Sequence, residues 1–379
     1  GIINVYSNNN VSVDVVNAGQ ENVVLDSLGS VTEAPNTDAL ADVTGGSVYI
    51  YSNTGIGTDT NDLETNSNNL QISARESGNI NVTETSDDVT IDFAQTANGD
   101  INLTANGNMT ANDIQTTAGN NNNINLTSNT GDVIVNSVNA NDGNASITAN
   151  RGSIIEAGSD AGADVIGENV NLSSGFGIGA VNNAVETSAD NLNLDITIQG
   201  HAFINEANSV VLTANNNNGE VNVTVTGAGD MLVSNVVTGN NGDVNLETQN
   251  GDVLIQNNGI NSTGDVDLTA SDDVQIGGDV TTDETVTIKS DSDSNGQGKI
   301  ESTFAVHEIT ANVLNMTSTQ GIGSISTPIE TKVSNLIFKN RLSGDVIINN
   351  TNPSLNASGD NDGAGAVLVY NNGTVVIDK

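Results

Sequence analysis

The stretch Gly55-Ile-Gly-Thr-Asp-Thr-Asn-Asp-Leu-Glu-Thr-Asn-Ser-Asn-Asn-Leu-Gln-Ile72 decides the fold, because the chain contains it three times. It returns from Gly177 to Leu194 and from Gly321 to Phe338. Aligned, the copies share Gly-Ile-Gly, an aliphatic residue after five variable ones, Glu-Thr, and then Asn-Leu with an apolar residue two places on. Each follows an apolar alternating run: Val48-Tyr49-Ile50, Val170-Asn171-Leu172, and Val313 to Met316. Strand, glycine turn and second strand thus recur as one block, 122 and then 144 residues apart. Fixed positions at fixed offsets mark a repeat architecture.

Shorter units fill the space between the blocks. Gly78-Asn-Ile-Asn-Val82, Gly99-Asp-Ile-Asn-Leu103 and Gly131-Asp-Val-Ile-Val135 precede the second block. Gly219-Glu-Val-Asn-Val223, Gly242-Asp-Val-Asn-Leu246, Gly251-Asp-Val-Leu-Ile255 and Gly264-Asp-Val-Asp-Leu268 follow it, and Gly344-Asp-Val-Ile-Ile348 comes near the end. Apolar residues alternate with Asn, Thr or Asp, the period of a strand with one buried face. From Gly78 to Gly99 is 21 residues, and from Gly131 to Gly143 to Gly152 the steps of 12 and 9 give 21 again. Short strands inside a longer period describe the coil of a solenoid rather than a hairpin meander. The expected fold is all-β: a single elongated right-handed parallel β-helix (β-solenoid) with about 21 residues per coil. It runs over 1–379 as one continuous solenoid of roughly 16–18 coils, with loop excursions near 26–46 and 351–366. Each Gly-Asp or Gly-Asn is expected to make a corner, glycine by adopting positive φ and the Asx by bonding local backbone. Asn runs such as Asn120 to Asn123 and Asn215 to Asn218 read as corners or as outward ladders of stacked amides.

Composition agrees. Aromatic residues are 2% of the chain and Trp is absent, as suits a thin aliphatic core, while 35% hydrophobic residues in regular runs argue against disorder. A net charge of -39 opposes nucleic acid and anionic membrane surfaces as partners. The absence of cysteine excludes disulfides, thiolate metal sites and cysteine nucleophiles. No apolar run approaches the roughly 18 residues of a membrane span. The start at Gly1, with no leader pattern, reads as a processed or excised chain.

The Gly-Asp-Val-x-Leu units and the Gly-Ile-Gly…Glu-Thr…Asn-Leu block resemble the shaft of filamentous-haemagglutinin-like adhesins, over roughly residues 45–350. Thr327-Pro328-Ile329 carries the proline associated with that family. The resemblance implies a right-handed parallel β-helix shaft of a large secreted bacterial exoprotein. It also implies an extracellular or cell-surface location on a prokaryote, with a role in adhesion, biofilm or surface filaments.

Site residues are few. Gly55, Gly57, Gly177, Gly179, Gly321 and Gly323 read as turn glycines, with Ile56, Ile178 and Ile322 buried. Glu64, Glu186 and Glu330 read as structural carboxylates accepting from the amides of those turns, or as ligands of a cation or sugar. No cofactor is implied. A structural Ca²⁺ has its leading ligand candidates in Asp291 and Asp293, although no EF-hand or Gly-rich nonapeptide array occurs. The competing class is a β-helix polysaccharide lyase or hydrolase, which needs paired carboxylates and, for elimination, a nearby base. Only Arg75 and Arg151 precede Lys289, and His201 and His307 stand alone, so no enzymatic activity is expected. The reading is a structural subunit or shaft segment that assembles end to end with copies of itself, since strand patterning runs from Ile2 to Ile377 without a cap. The alternative is an adhesin segment that binds a cell-surface glycan or receptor.

Overall fold

A computed structural model describes every residue except 35–39, 118, 120, 305 and 378–379. Two compact units, Gly1–Ala189 and Asp190–Lys379, divide the chain. Each is a parallel β-solenoid, and the described residues contain no helix. One turn takes about 22 residues.

In the first unit, one column of the core stacks Ile80, Ile101, Ile124, Ala145 and Val170, paired in register from coil to coil. All five are fully buried. In the second, Val221, Val244, Val266, Val286, Leu314 and Leu336 form the corresponding kind of column. Along Ile101–Ala105 the pattern is buried at Ile101, Leu103 and Ala105 and half-buried at Asn102 and Thr104. The alternation read from the sequence is therefore the alternation of the coil wall. Longer strands such as Val43–Ser52 and Leu63–Ala74 are ten and twelve residues long and so carry two walls around a corner.

The corners differ from expectation in two respects. Gly78 and Gly344 take the expected positive φ, 96° and 89°, but Gly99 and Gly131 do not. What they require is space: a Cβ on Gly99 would lie 2.4 Å from the carbonyl oxygen of Gly78, one coil before. The Asx residue at the corner bonds the next coil, not its own turn. Oδ1 of Asp88 accepts the Asn108 N–H at 2.8 Å, Asn108 accepts that of Asp132 at 2.7 Å, and Asp132 that of Ser153 at 2.7 Å. In the second unit Asp230, Asp252 and Asp273 hand on the same bond to Lys299. One short acceptor per coil secures the corner N–H that the turn leaves unpaired.

Outward amides also form ladders, but from alternating wall positions more than from Asn runs. Asn102 Nδ2 donates to Asn81 Oδ1, and Asn125 Nδ2 to Asn102 Oδ1, both at 2.8 Å. Asn123 does belong to a corner ladder, with Asn79, Asp100 and Asn144, while Asn120 lies outside the described residues.

Both loop excursions are narrower than expected. Within 26–46, Val31–Glu33 and the start of Val43–Ser52 are strands, and residues 35–39 lie outside the described residues. Within 351–366, Ser354–Asn361 is a strand that buries Leu355 and Ala357. Two inward apolar residues suffice to hold a strand whose remaining positions are polar, because the neighbouring coil supplies the backbone partners.

Candidate functional site

The long blocks fold alike. Gly55, Gly177 and Gly321 have φ of 114°, 128° and 122°, and Gly57, Gly179 and Gly323 have 66°, 65° and 67°. Ile56, Ile178 and Ile322 are fully buried between them and bridge to neighbouring coils. A Cβ on Gly57 would lie 2.2 Å from the Asn81 carbonyl oxygen, so this position needs glycine for both conformation and space. The turn amides are committed elsewhere: Gly57 N–H to the Val31 carbonyl at 2.9 Å, and Gly55 N–H to Ser52 Oγ at 3.2 Å. Gly179 and Gly323 donate in the same way to Ile154 and Ile300. Contrary to the reading from sequence, the glutamate of the block is therefore not the acceptor of its glycine turn.

Glu64 faces two other acids instead. Glu33 ends the strand Val31–Glu33, Asp42 leads into Val43–Ser52, and Glu64 lies in Leu63–Ala74, one coil on. One carboxylate oxygen of each lies within 4.8 Å of the others. Glu33 is only 8% exposed and Asp42 5%. Oε2 of Glu33 and Oε2 of Glu64 are buried and have no hydrogen-bond partner among the described residues. The arrangement is repeated in the second block by Glu156, Asp164 and Glu186, again with carboxylate oxygens within 4.8 Å of one another. Backbone geometry fixes both: the Glu64 N–H donates to Asp42 Oδ2 at 3.2 Å, and the Glu186 N–H to Asp164 Oδ2 at 3.1 Å.

Three acids held this close together away from solvent repel one another. Burial, a hydrogen bond with Asp42 and the charges of Glu33 and Asp42 push the Glu64 carboxyl up to about 7. In the second trio burial comes first and the charges of Glu156 and Glu186 add to it, so Asp164 is pushed up to about 7. Burial, followed by the charge of Glu186, also raises Glu156. Cationic side chains are scarce here. Arg75 and Arg151 are the only Lys or Arg in residues 1–189; Arg75 is paired with Asp26 at 2.8 Å and Arg151 is exposed.

The third block resolves the same crowding differently. Ser302 stands in the place of Glu33, and Glu308 and Glu330 are register partners in the places of Asp42 and Glu64. Glu308 accepts from the hydroxyls of Thr310 and Thr351 at 3.2 and 3.0 Å, and Glu330 Oε2 accepts Asn349 Nδ2 at 2.6 Å. Where the third acid is lost, polar donors appear. In the first block Thr83, in the place of Asn349, turns to Asp62.

Asp291 and Asp293 are not gathered with a third acidic group among the described residues. Asp291 is buried in a turn at φ 59°, its Oδ1 accepting from the N–H groups of Gly296 and Gln297. Asp293 accepts from Asn295. His201 and His307 are apart from each other, beside Glu220 and Asp279. The residues that sequence reasoning missed are Glu33, Asp42, Glu156 and Asp164. For Asp42 and Asp164 the signal was available, since an acid stands 13 residues before each block glycine: Asp42 before Gly55, Asp164 before Gly177, Glu308 before Gly321.

Comparison with family models, with curated proteins and with solved structures finds no match. The fold is established by the coil-to-coil strand pairing itself.

Proposed function

We propose that this chain is a structural segment of an extracellular or cell-surface fibre of a prokaryote, a shaft of stacked coils that engages further copies along its axis. The observation that carries the reading is the fate of the polar side chains. Asn81, Asn102 and Asn125 on one face, and Asp88, Asn108 and Asp132 at one corner, spend their hydrogen-bonding capacity on the next coil. A binding or catalytic cleft instead directs unlike polar groups toward one point in a concave site. Periodic walls suit load-bearing and spacing. The charge of -39 keeps such surfaces apart in solution, and a chain without cysteine needs no oxidative folding. The shaft reading also rests on the triplicated block and its resemblance to filamentous-haemagglutinin-like adhesins.

Negative-stain electron microscopy of native material tests the proposal. Filaments or rods of uniform width are the expected result. Isolated compact particles at high protein concentration and physiological salt would contradict it.

A further inference from the structure

We propose that Glu33, Asp42 and Glu64 bind a calcium-sized divalent cation, and that Glu156, Asp164 and Glu186 form a second site of the same design. The acidity of the cluster alone does not carry this. Glu33 does: its side chain is more than nine-tenths buried, its Oε2 has no hydrogen-bond donor among the described residues, and it is directed at the other two carboxylates. A buried carboxylate without partners is costly unless a cation or a proton completes it.

Ligand chemistry selects the ion. All three groups offer hard oxygen donors, with no imidazole or thiolate among them. A spread of up to 4.8 Å between ligand atoms fits around one ion whose oxygen distances are about 2.4 Å, as for Ca²⁺. Mg²⁺, at about 2.1 Å and with strict octahedral demands, suits a smaller set. Three carboxylates against two charges leave a modest negative excess, which is common for such sites.

The third block serves as a built-in comparison. With Ser302 in place of Glu33, the remaining acids take hydroxyl and amide donors, as a site without a cation requires. Placement suggests the ion's task. Glu33 and Asp42 stand at the two ends of residues 34–41, and Glu156 and Asp164 at the two ends of 157–163. Each pair meets a glutamate from the following coil. A cation there fastens the residues that flank each stretch to the next rung.

The test is isothermal titration of CaCl₂ into the full chain after exhaustive EDTA treatment, with MgCl₂ at equal ionic strength as control, and thermal melting in parallel. We expect two saturable Ca²⁺ sites per chain with dissociation constants of about 10⁻⁵–10⁻³ M. At a 100-fold excess over that constant, the melting temperature should rise by roughly 5 °C or more. E33Q should leave one site, E156Q the other, and the double variant neither, whereas E330Q and D291N should keep both. Should E33Q fail to fold, Glu33→Ser, which reproduces the third block, replaces it. Absence of saturable binding at millimolar Ca²⁺, equal binding of Mg²⁺, or two sites persisting in the double variant would overturn the proposal.

Discussion

Asp42 and Glu64 clasp each other across adjacent coils: the Asp42 N–H donates to the Glu64 carbonyl at 2.9 Å, and the Glu64 N–H returns to Asp42 Oδ2 at 3.2 Å. Asp164 and Glu186 repeat both bonds at 2.8 and 3.1 Å. The acid at this position is thus an anchor of the strand start as well as a member of a carboxylate trio. The two roles separate by substitution.

Asp42→Ala removes the acceptor and leaves the Glu64 N–H unpaired in a half-buried place. A loss of about 1–3 kcal/mol is expected. Asp42→Asn keeps an oxygen there and removes a repelling charge, so it should cost clearly less. Denaturant melts of the two variants in EDTA check this, and equal losses would show that the hydrogen bond is not what Asp42 contributes.

Stability of the chelated protein should fall as pH rises. Glu64 and Asp164 have folded values of about 7, above their ordinary 4.5 and 3.8. The folded state therefore holds protons that the unfolded chain releases. Their stabilising contribution is complete below those ordinary values and is lost as pH rises through about 7. Asp252 and Asp267, raised chiefly by burial, act in the same direction. Melting temperatures in EDTA should be higher at pH 5.5 than at pH 8, with Glu64→Gln flattening part of the slope. A melting temperature that climbs over this range would contradict the buried trios.

Gly57→Val places a β-branched residue at φ 66° with its Cβ 2.2 Å from the Asn81 carbonyl. Both the conformation and the clash count against it, so a loss of about 2 kcal/mol or more is expected. A variant that melts no earlier than the parent would remove the turn assignment for all three blocks.

Glu84, 2% exposed, takes the Thr65 hydroxyl, the Ser67 N–H and hydroxyl, and the Ser86 N–H. Its counterpart after the third block is Asn350, whose Oδ1 takes the Thr331 hydroxyl and the Val333 N–H. Glu84→Ala should therefore lose about 2–4 kcal/mol through several orphaned donors, while Glu84→Asn should retain most of the stability. Calorimetry of the pair distinguishes an acceptor role from a need for charge.

The coil was legible because its wall is written locally. Ile101, Leu103 and Ala105 alternate with Asn102 and Thr104 in sequence as they do in space. Glycine positions were legible too, but not their reason: at Gly99 the constraint comes from the carbonyl of Gly78, a residue 21 positions away. The trio was illegible for the same cause. Glu33 and Asp42 flank a stretch without alternation, and only coil stacking brings them to Glu64. Reading the repeat upstream of its glycine would have exposed Asp42, Asp164 and Glu308 together. It would not have exposed the difference between Glu33 and Ser302, because the spacing from that position to the acid before the block differs in each copy.

The central claim is in-register parallel stacking of coils, and a chain without native cysteine allows it to be measured directly. Asn102 and Asn125 are register partners on adjacent coils, whereas Asn81 and Asn125 are separated by the intervening coil. Adjacent parallel strands lie about 4.8 Å apart, within the Cα range of a disulfide at about 4.4–6.8 Å, and a skipped coil doubles that distance. Under mild oxidation the double variant N102C/N125C should cross-link within one chain in high yield, and N81C/N125C should stay reduced. Equal yields for the two pairs, or preference for the second, would contradict the stacked-coil structure.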